Sequence, residues 1–226
     1  LKEFRQLNSL TPGHPEYLHT EGIDATSGPL GQGIATASGM AVAETYLAAR
    51  YNKEGFNVID HYTYALCGDG DLQEGVTQEA MSLAGHLGLN KLIVIYDSND
   101  IQLDGPTNLA VTEDVKDKYE AMGWHYILVR NANKLFALDE AISIAKGTDM
   151  PTIIEVKSVI GFGSKDAGDS STHGSPIGTE ETNAMRKSMR YAQGEFEVAD
   201  SVYDDFRVNT KERGDVELAK WEKMFK

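Results

Sequence analysis

Gly68-Asp69-Gly70-Asp71-Leu72-Gln73-Glu74-Gly75 and, after a helical run, Leu92-Ile93-Val94-Ile95-Tyr96-Asp97-Ser98-Asn99 decide how this chain folds. Tyr62–Cys67, just before the first motif, is short, apolar and rich in strand formers, which predicts a buried parallel strand ending at the Gly-Asp-Gly turn. Val76, Ala80, Leu83, Ala84 and Leu87 recur mostly at three- or four-residue spacing, so residues 74–88 are expected to form an amphipathic helix. That helix returns the chain to a second strand over residues 91–96, completing a βαβ unit. Such crossovers make the two strands parallel, so Asp69 and Asn99 should both emerge at the carboxyl edge of the sheet, where open α/β sheets bind ligands.

A carboxylate and a carboxamide brought together there are hard oxygen donors. They suit magnesium or calcium, small cations that leave room for phosphate oxygens and water. Taken singly, Asp69 is an ordinary turn residue and Asn99 an ordinary loop cap. An EF-hand is excluded, because Gln73 and Glu74 stand where its next ligand and its glycine belong.

The 226 residues are 41% hydrophobic and 25% charged, enough for one globular domain with a substantial core. A formal charge of −14 argues against nucleic-acid and anionic-membrane partners, which require clustered Lys and Arg. The single cysteine, Cys67, ends an apolar strand and reads as a buried, inert thiol. No apolar run is long enough to span a bilayer and no signal-peptide pattern opens the chain, so a cytoplasmic protein is expected. The chain starts at Leu1, and residues 1–10 read as the end of a helix, which suggests a fragment.

Thr11-Pro12-Gly13-His14-Pro15-Glu16 holds an imidazole on a stiff, non-helical backbone. By residue type alone His14 is a surface-loop histidine, and so is His19. Ser27-Gly28-Pro29-Leu30-Gly31-Gln32-Gly33 opens a helix over residues 34–51 that is rich in small side chains. Its glycines and free N–H groups could approach a diphosphate, and its small residues could equally serve close packing. A dinucleotide fingerprint is rejected because no strand precedes it and the third glycine is missing. Further on, a helix over 112–122 capped by Thr112, a strand over 124–129, a helix over 135–146 and a strand over 152–156 continue the alternation. The expected fold is α/β, an open, mostly parallel sheet with helices on both faces. Gly161–Pro176 is a long polar loop containing His173, and helices over 179–191 and 200–226 finish the chain.

The Gly-Asp-Gly to Asn99 spacing, the continuation Leu72-Gln73-Glu74-Gly75, Ile101-Gln102-Leu103-Asp104-Gly105, Gly13-His14-Pro15-Glu16 and Thr172-His173-Gly174-Ser175-Pro176 together resemble the transketolase family. The resemblance covers nearly the whole chain and is weakest after about Arg186. It implies a thiamine diphosphate-binding fold, with residues 1–226 as the diphosphate-binding (N-terminal) domain, truncated at its own N-terminus. It also implies a metal, Mg2+ or Ca2+, bound by Asp69, Asn99 and the backbone carbonyl of Ile101. Thiamine diphosphate would be held by Gly28, Leu30, Gly68, Asp69, Gly70, Asn99 and His173. His14 and His173 would be the catalytic imidazoles, His14 near the reacting carbon and His173 bridging diphosphate and substrate.

The implied reaction is transfer of a two-carbon ketol unit from a ketose phosphate to an aldose phosphate in a homodimer. This chain would supply the anchoring half and be inactive without the second domain. Glu74 and Glu79 are implied in an acidic cluster at the subunit interface, although two carboxylates near a helix start are ordinarily dipole-complementing surface charge. His86 is expected to be a core or interface histidine. The alternatives are a deoxyxylulose-phosphate synthase, a 2-oxo-acid dehydrogenase α subunit, or a non-catalytic binding module of the same fold. The Leu-Gln-Glu-Gly and Gly-His-Pro-Glu segments argue against the first two.

Overall fold

The computed structural model describes residues 2–226. In chain order α1 (Gln32–Tyr51) is followed by β1 (Thr63–Gly68), α2 (Gly75–His86) and β2 (Leu92–Ser98). A two-residue hairpin, β3 (Ile101–Gln102) with β4 (Gly105–Pro106), leads to α3 (Val115–Ala121), β5 (His125–Val129), α4 (Leu135–Ala145) and β6 (Thr152–Lys157). Then come α5 (Thr179–Ser188), α6 (Asp200–Phe206) and α7 (Arg213–Phe225). The main sheet has the order β1-β2-β6-β5, and every neighbouring pair is parallel.

Strand periodicity sorts the core onto the two faces of this sheet. Leu92, Val94 and Tyr96 of β2 join Ala65, Cys67, Ile153 and Trp124 in packing on α1, α2 and α3. Ile93 and Ile95 turn the other way and meet Ile154, Val156, Val129 and the α4 residues Ala141 and Ala145. The expected sheet with helices on both faces is therefore present. Trp124, 2% exposed, locks β5 to α2: its indole N–H donates to the Met81 carbonyl at 2.7 Å, and its ring lies edge-on to Tyr119.

Several local expectations are corrected. β1 is buried on one face only, because α4 covers the β6 and β5 side of the second face and leaves Tyr64 and Leu66 exposed. In α2 the inward stripe is Thr77, Met81 and Ala84, whereas Val76, Leu83 and Leu87 face outward. Thr77 is tolerated inside because its hydroxyl donates to the Asp71 carbonyl at 2.6 Å. α3 is capped by Asp114, not Thr112, since the Asp114 carboxylate accepts the Asp117 N–H at 2.9 Å. Residues 2–5 form turns, not the end of a helix. The C-terminal helical stretch is interrupted between α6 and α7 by a wider-wound segment, Arg207–Glu212.

Candidate functional site

The register of the sheet builds the site. Gly68 of β1 lies opposite Asp97 of β2, so Asp69 and Asn99 leave adjacent parallel strands side by side. Asp69 is buried; its Oδ1 accepts the Tyr96 hydroxyl at 2.6 Å and its Oδ2 accepts the Asn99 backbone N–H at 3.3 Å. Burial pushes the Asp69 carboxyl up from its ordinary value, only partly offset by those two bonds. Burial, together with the bond to Asp69, also holds the Tyr96 phenol well above its usual range. The Asn99 side-chain oxygen accepts the Ile101 N–H at 3.0 Å, and Asp100 between them has a left-handed φ of 64°. This turn brings Asp69, Asn99 and Ile101 into one bonded unit. Among the described residues no group of three or more His, Cys, Asp or Glu side chains is placed to hold a metal ion.

A second group of segments closes on the same strand end. Gly28 and His14 are in contact: a Cβ on Gly28 would lie 2.8 Å from the imidazole Cγ. Leu30 sits over Gly70, whose Cβ would meet the leucine Cδ1 at 3.1 Å. Gly31 has φ 77°, and a side chain there would strike Thr77 and Val76, so only glycine brings the start of α1 this close to α2. Asp71 spans the gap, accepting the Gly31 N–H on one oxygen and the Gly68 N–H on the other, each at 2.9 Å.

Beside Asp69 opens a cleft of about 1030 Å³, lined by strand ends and by α3. Its floor carries Glu155, buried, which accepts from Ser98 (2.9 Å), Tyr126 (2.6 Å) and Lys157 (2.9 Å). Burial pushes the Glu155 carboxyl up, but the bonds from Lys157, Tyr126 and Ser98 outweigh it and leave the group below its ordinary value. The residue pattern did not single out this network or Tyr96, and Asp71 figured in it only as a position of the rejected EF-hand. The available signals were a lone carboxylate inside the apolar run of β6 and a second aspartate two residues beyond Asp69.

The remaining candidates lie apart. His173 ends a short turn, Ser170–Thr172, and is exposed; its N–H donates to the Ser170 carbonyl at 2.9 Å. No hydrogen bond among the described residues ties its imidazole to Asp69 or Asn99. Glu74 and Glu79 are exposed on α2, and so is His86, which ends α2 on the outward side; of the expected core or interface placements, the core one does not hold. His19 has a structural task, its Nε2–H donating to the carbonyl of buried Ser9 at 2.8 Å. Cys67 is buried as expected, and burial with Asp71, Asp69 and Asp97 nearby drives its thiol far up, away from reactivity.

The fold is an open parallel α/β sheet whose carboxyl edge carries Asp69, Asn99 and a glycine-lined turn. Comparison with known proteins gives the particular family. Residues 1–226 match the family described as the thiamine diphosphate binding domain of transketolase. The chain is 54% identical over 226 residues to the transketolase of Streptococcus pyogenes, covering 100% of this chain and 31% of that protein. It is 52% identical over 228 residues to the transketolase of Bacillus subtilis, covering 100% of this chain and 34% of that one. Among solved structures, the transketolase from Leishmania mexicana superposes with a TM-score of 0.95 at 48% identity, over 99% of this chain and 34% of that one. A Pichia stipitis transketolase in complex with sedoheptulose-7-phosphate gives 0.95 at 40% identity, over 99% of this chain and 33% of that one. The chain belongs to the transketolase family and spans about a third of the length of these relatives.

Proposed function

We propose that this chain is the part of a transketolase that anchors thiamine diphosphate through a divalent metal. The observation that supports this most is Asp69: a carboxylate buried at a strand end, raised by desolvation and adjoining Asn99 and Ile101. A buried carboxylate in this state gains from a cation, which replaces lost hydration by direct coordination. Asp69, the Asn99 side-chain oxygen and the Ile101 carbonyl would hold Mg2+ or Ca2+, oxygen-preferring ions suited to such a set. Gly28, Gly68 and Gly70 would admit the diphosphate close to the backbone, with Leu30 against the cofactor.

When bound, thiamine diphosphate supplies the nucleophilic carbon for moving a two-carbon ketol unit between sugar phosphates. The chain's own residues bind and orient. His14, braced on Gly28, would stand where it can exchange a proton with the substrate, and His173 would donate to the diphosphate. Sugar phosphates as substrates are supported by the family and by relatives solved with xylulose-5-phosphate and sedoheptulose-7-phosphate. A second subunit as partner is supported by outward apolar residues on α1 and α2, among them Met40, Tyr46, Val76 and Leu83. No helix among the described residues is long and apolar enough to cross a membrane. Titration calorimetry of the chain with thiamine diphosphate, with and without Mg2+, tests the reading: metal-dependent binding is expected, and metal-independent or absent binding counts against it.

A further inference from the structure

The geometry points to Asp71 as a positioning residue that clamps the two halves of the diphosphate cradle together. The inference rests on the cofactor reading above and adds a residue to it. Two chain segments frame the cradle: Gly28–Gly31 before α1 and Gly68–Gly70 at the end of β1. They are about forty residues apart in sequence, and the Asp71 carboxylate bonds the backbone of both, Gly31 N–H to Oδ1 and Gly68 N–H to Oδ2, each at 2.9 Å. Such charge-assisted bonds are the stronger kind, and here each carboxylate oxygen is already occupied by an amide. That separates Asp71 from Asp69, whose oxygens face Tyr96 and the Asn99 turn.

Asp71 is itself held from behind. Its backbone carbonyl accepts the hydroxyl of fully buried Thr77 at 2.6 Å, which fixes it to the start of α2. Gly31 caps α1 without any side-chain cap of its own, so the Asp71 carboxylate is the group that fixes where α1 begins relative to the end of β1. Leu30, one residue before, touches Gly70, one residue before Asp71, so the clamp also sets the width of the gap between them.

The test uses the full chain and its Asp71→Ala and Asp71→Asn variants. Asparagine keeps the shape but has one acceptor oxygen, so it must lose one of the two amide bonds, and it serves if the alanine variant does not fold. Amide hydrogen exchange is followed by NMR, and thiamine diphosphate binding with Mg2+ by calorimetry. The expected result is exchange at least about tenfold faster at both Gly31 and Gly68 in Asp71→Ala and at one of them in Asp71→Asn, with the β2 core amides unchanged. Affinity should fall by about 10- to 100-fold, the range typical when groups supporting a metal site are removed. Unchanged exchange at both glycines overturns the clamp, and a local change in exchange with unaltered affinity overturns its part in cofactor binding. If the parent chain itself binds no cofactor, the proposed function fails, and the exchange arm still decides whether the clamp exists.

Discussion

Two regions carry the residues proposed for the cofactor, and they are built differently. At the strand ends, Asp69 is bonded by Tyr96 from inside β2 and by Asn99 just beyond it, while Asp71 joins segments forty residues apart. In the loop over residues 161–176, the bonds are mostly short-range: Gly168 N–H to Ile160 O at 2.8 Å, Ser171 N–H to the Asp169 carboxylate at 2.8 Å, Thr172 hydroxyl to Asp169 O at 2.8 Å. Two contacts reach further, both toward α5 and its end: Lys165 N–H to Glu181 at 2.7 Å, and Gly163 against the Met189 side chain. The first region inherits its geometry from the packed sheet, so it is organised before any ligand arrives. The second is organised chiefly by its own turns, and His173 stands exposed within it.

The largest expected effect falls on the strand ends. Asp69→Ala removes the one charged donor of the proposed oxygen set, and metal-dependent binding of thiamine diphosphate should be lost, a decrease of more than about 100-fold by calorimetry. Binding equal to that of the parent would break the contrast at its strongest point.

Because the strand ends depend on the core, a core lesion should reach them. Trp124→Ala removes a large side chain 2% exposed and the donor to Met81. It should lower stability by about 3–5 kcal/mol, measured by urea unfolding.

Glu155 gives a pH test of the same coupling. Its carboxyl is held below the ordinary 4.5 by Lys157, Tyr126 and Ser98 against the cost of burial. A folded-state value below the unfolded one means that the unfolded chain binds more protons in the window between them. The stabilisation is therefore complete above about 4.5 and is lost as pH falls through the lower, folded-state value. Urea midpoints measured down through this window should decline less steeply in Glu155→Gln, which should cost about 1–3 kcal/mol at neutral pH. An equal acid slope in both proteins would assign the decline to other carboxylates.

The smallest effect is expected from the loop. In the chain by itself His173→Ala should weaken thiamine diphosphate by less than about tenfold, the worth of one hydrogen bond of ordinary net strength at an exposed position. A loss as large as that of Asp69→Ala would show that the loop is as firmly placed as the strand ends.

What could be read from residues alone was whatever depends on local periodicity and chain direction. Leu92-Ile93-Val94-Ile95-Tyr96, bounded by a helical repeat, requires a βαβ crossover, and a crossover between parallel strands puts Asp69 and Asn99 at one sheet edge whatever else happens. Buried Cys67, the polar loop around His173 and the alternation that makes an α/β sheet were legible for the same reason. Partners supplied from distant segments were not. Asp71 accepting from Gly31, His14 lying on Gly28, and Glu155 gathering Ser98, Tyr126 and Lys157 are meetings between separate segments of the chain. Nor could spacing tell that β1 stays open on one side, since Tyr64 and Leu66 have the residue types of a strand buried on both faces. Only the strand order, with β1 at an edge beyond the reach of α4, decides that they face outward. Periodicity is a property of neighbouring residues, whereas burial and hydrogen-bond partnership depend on which distant surfaces the folded chain brings together.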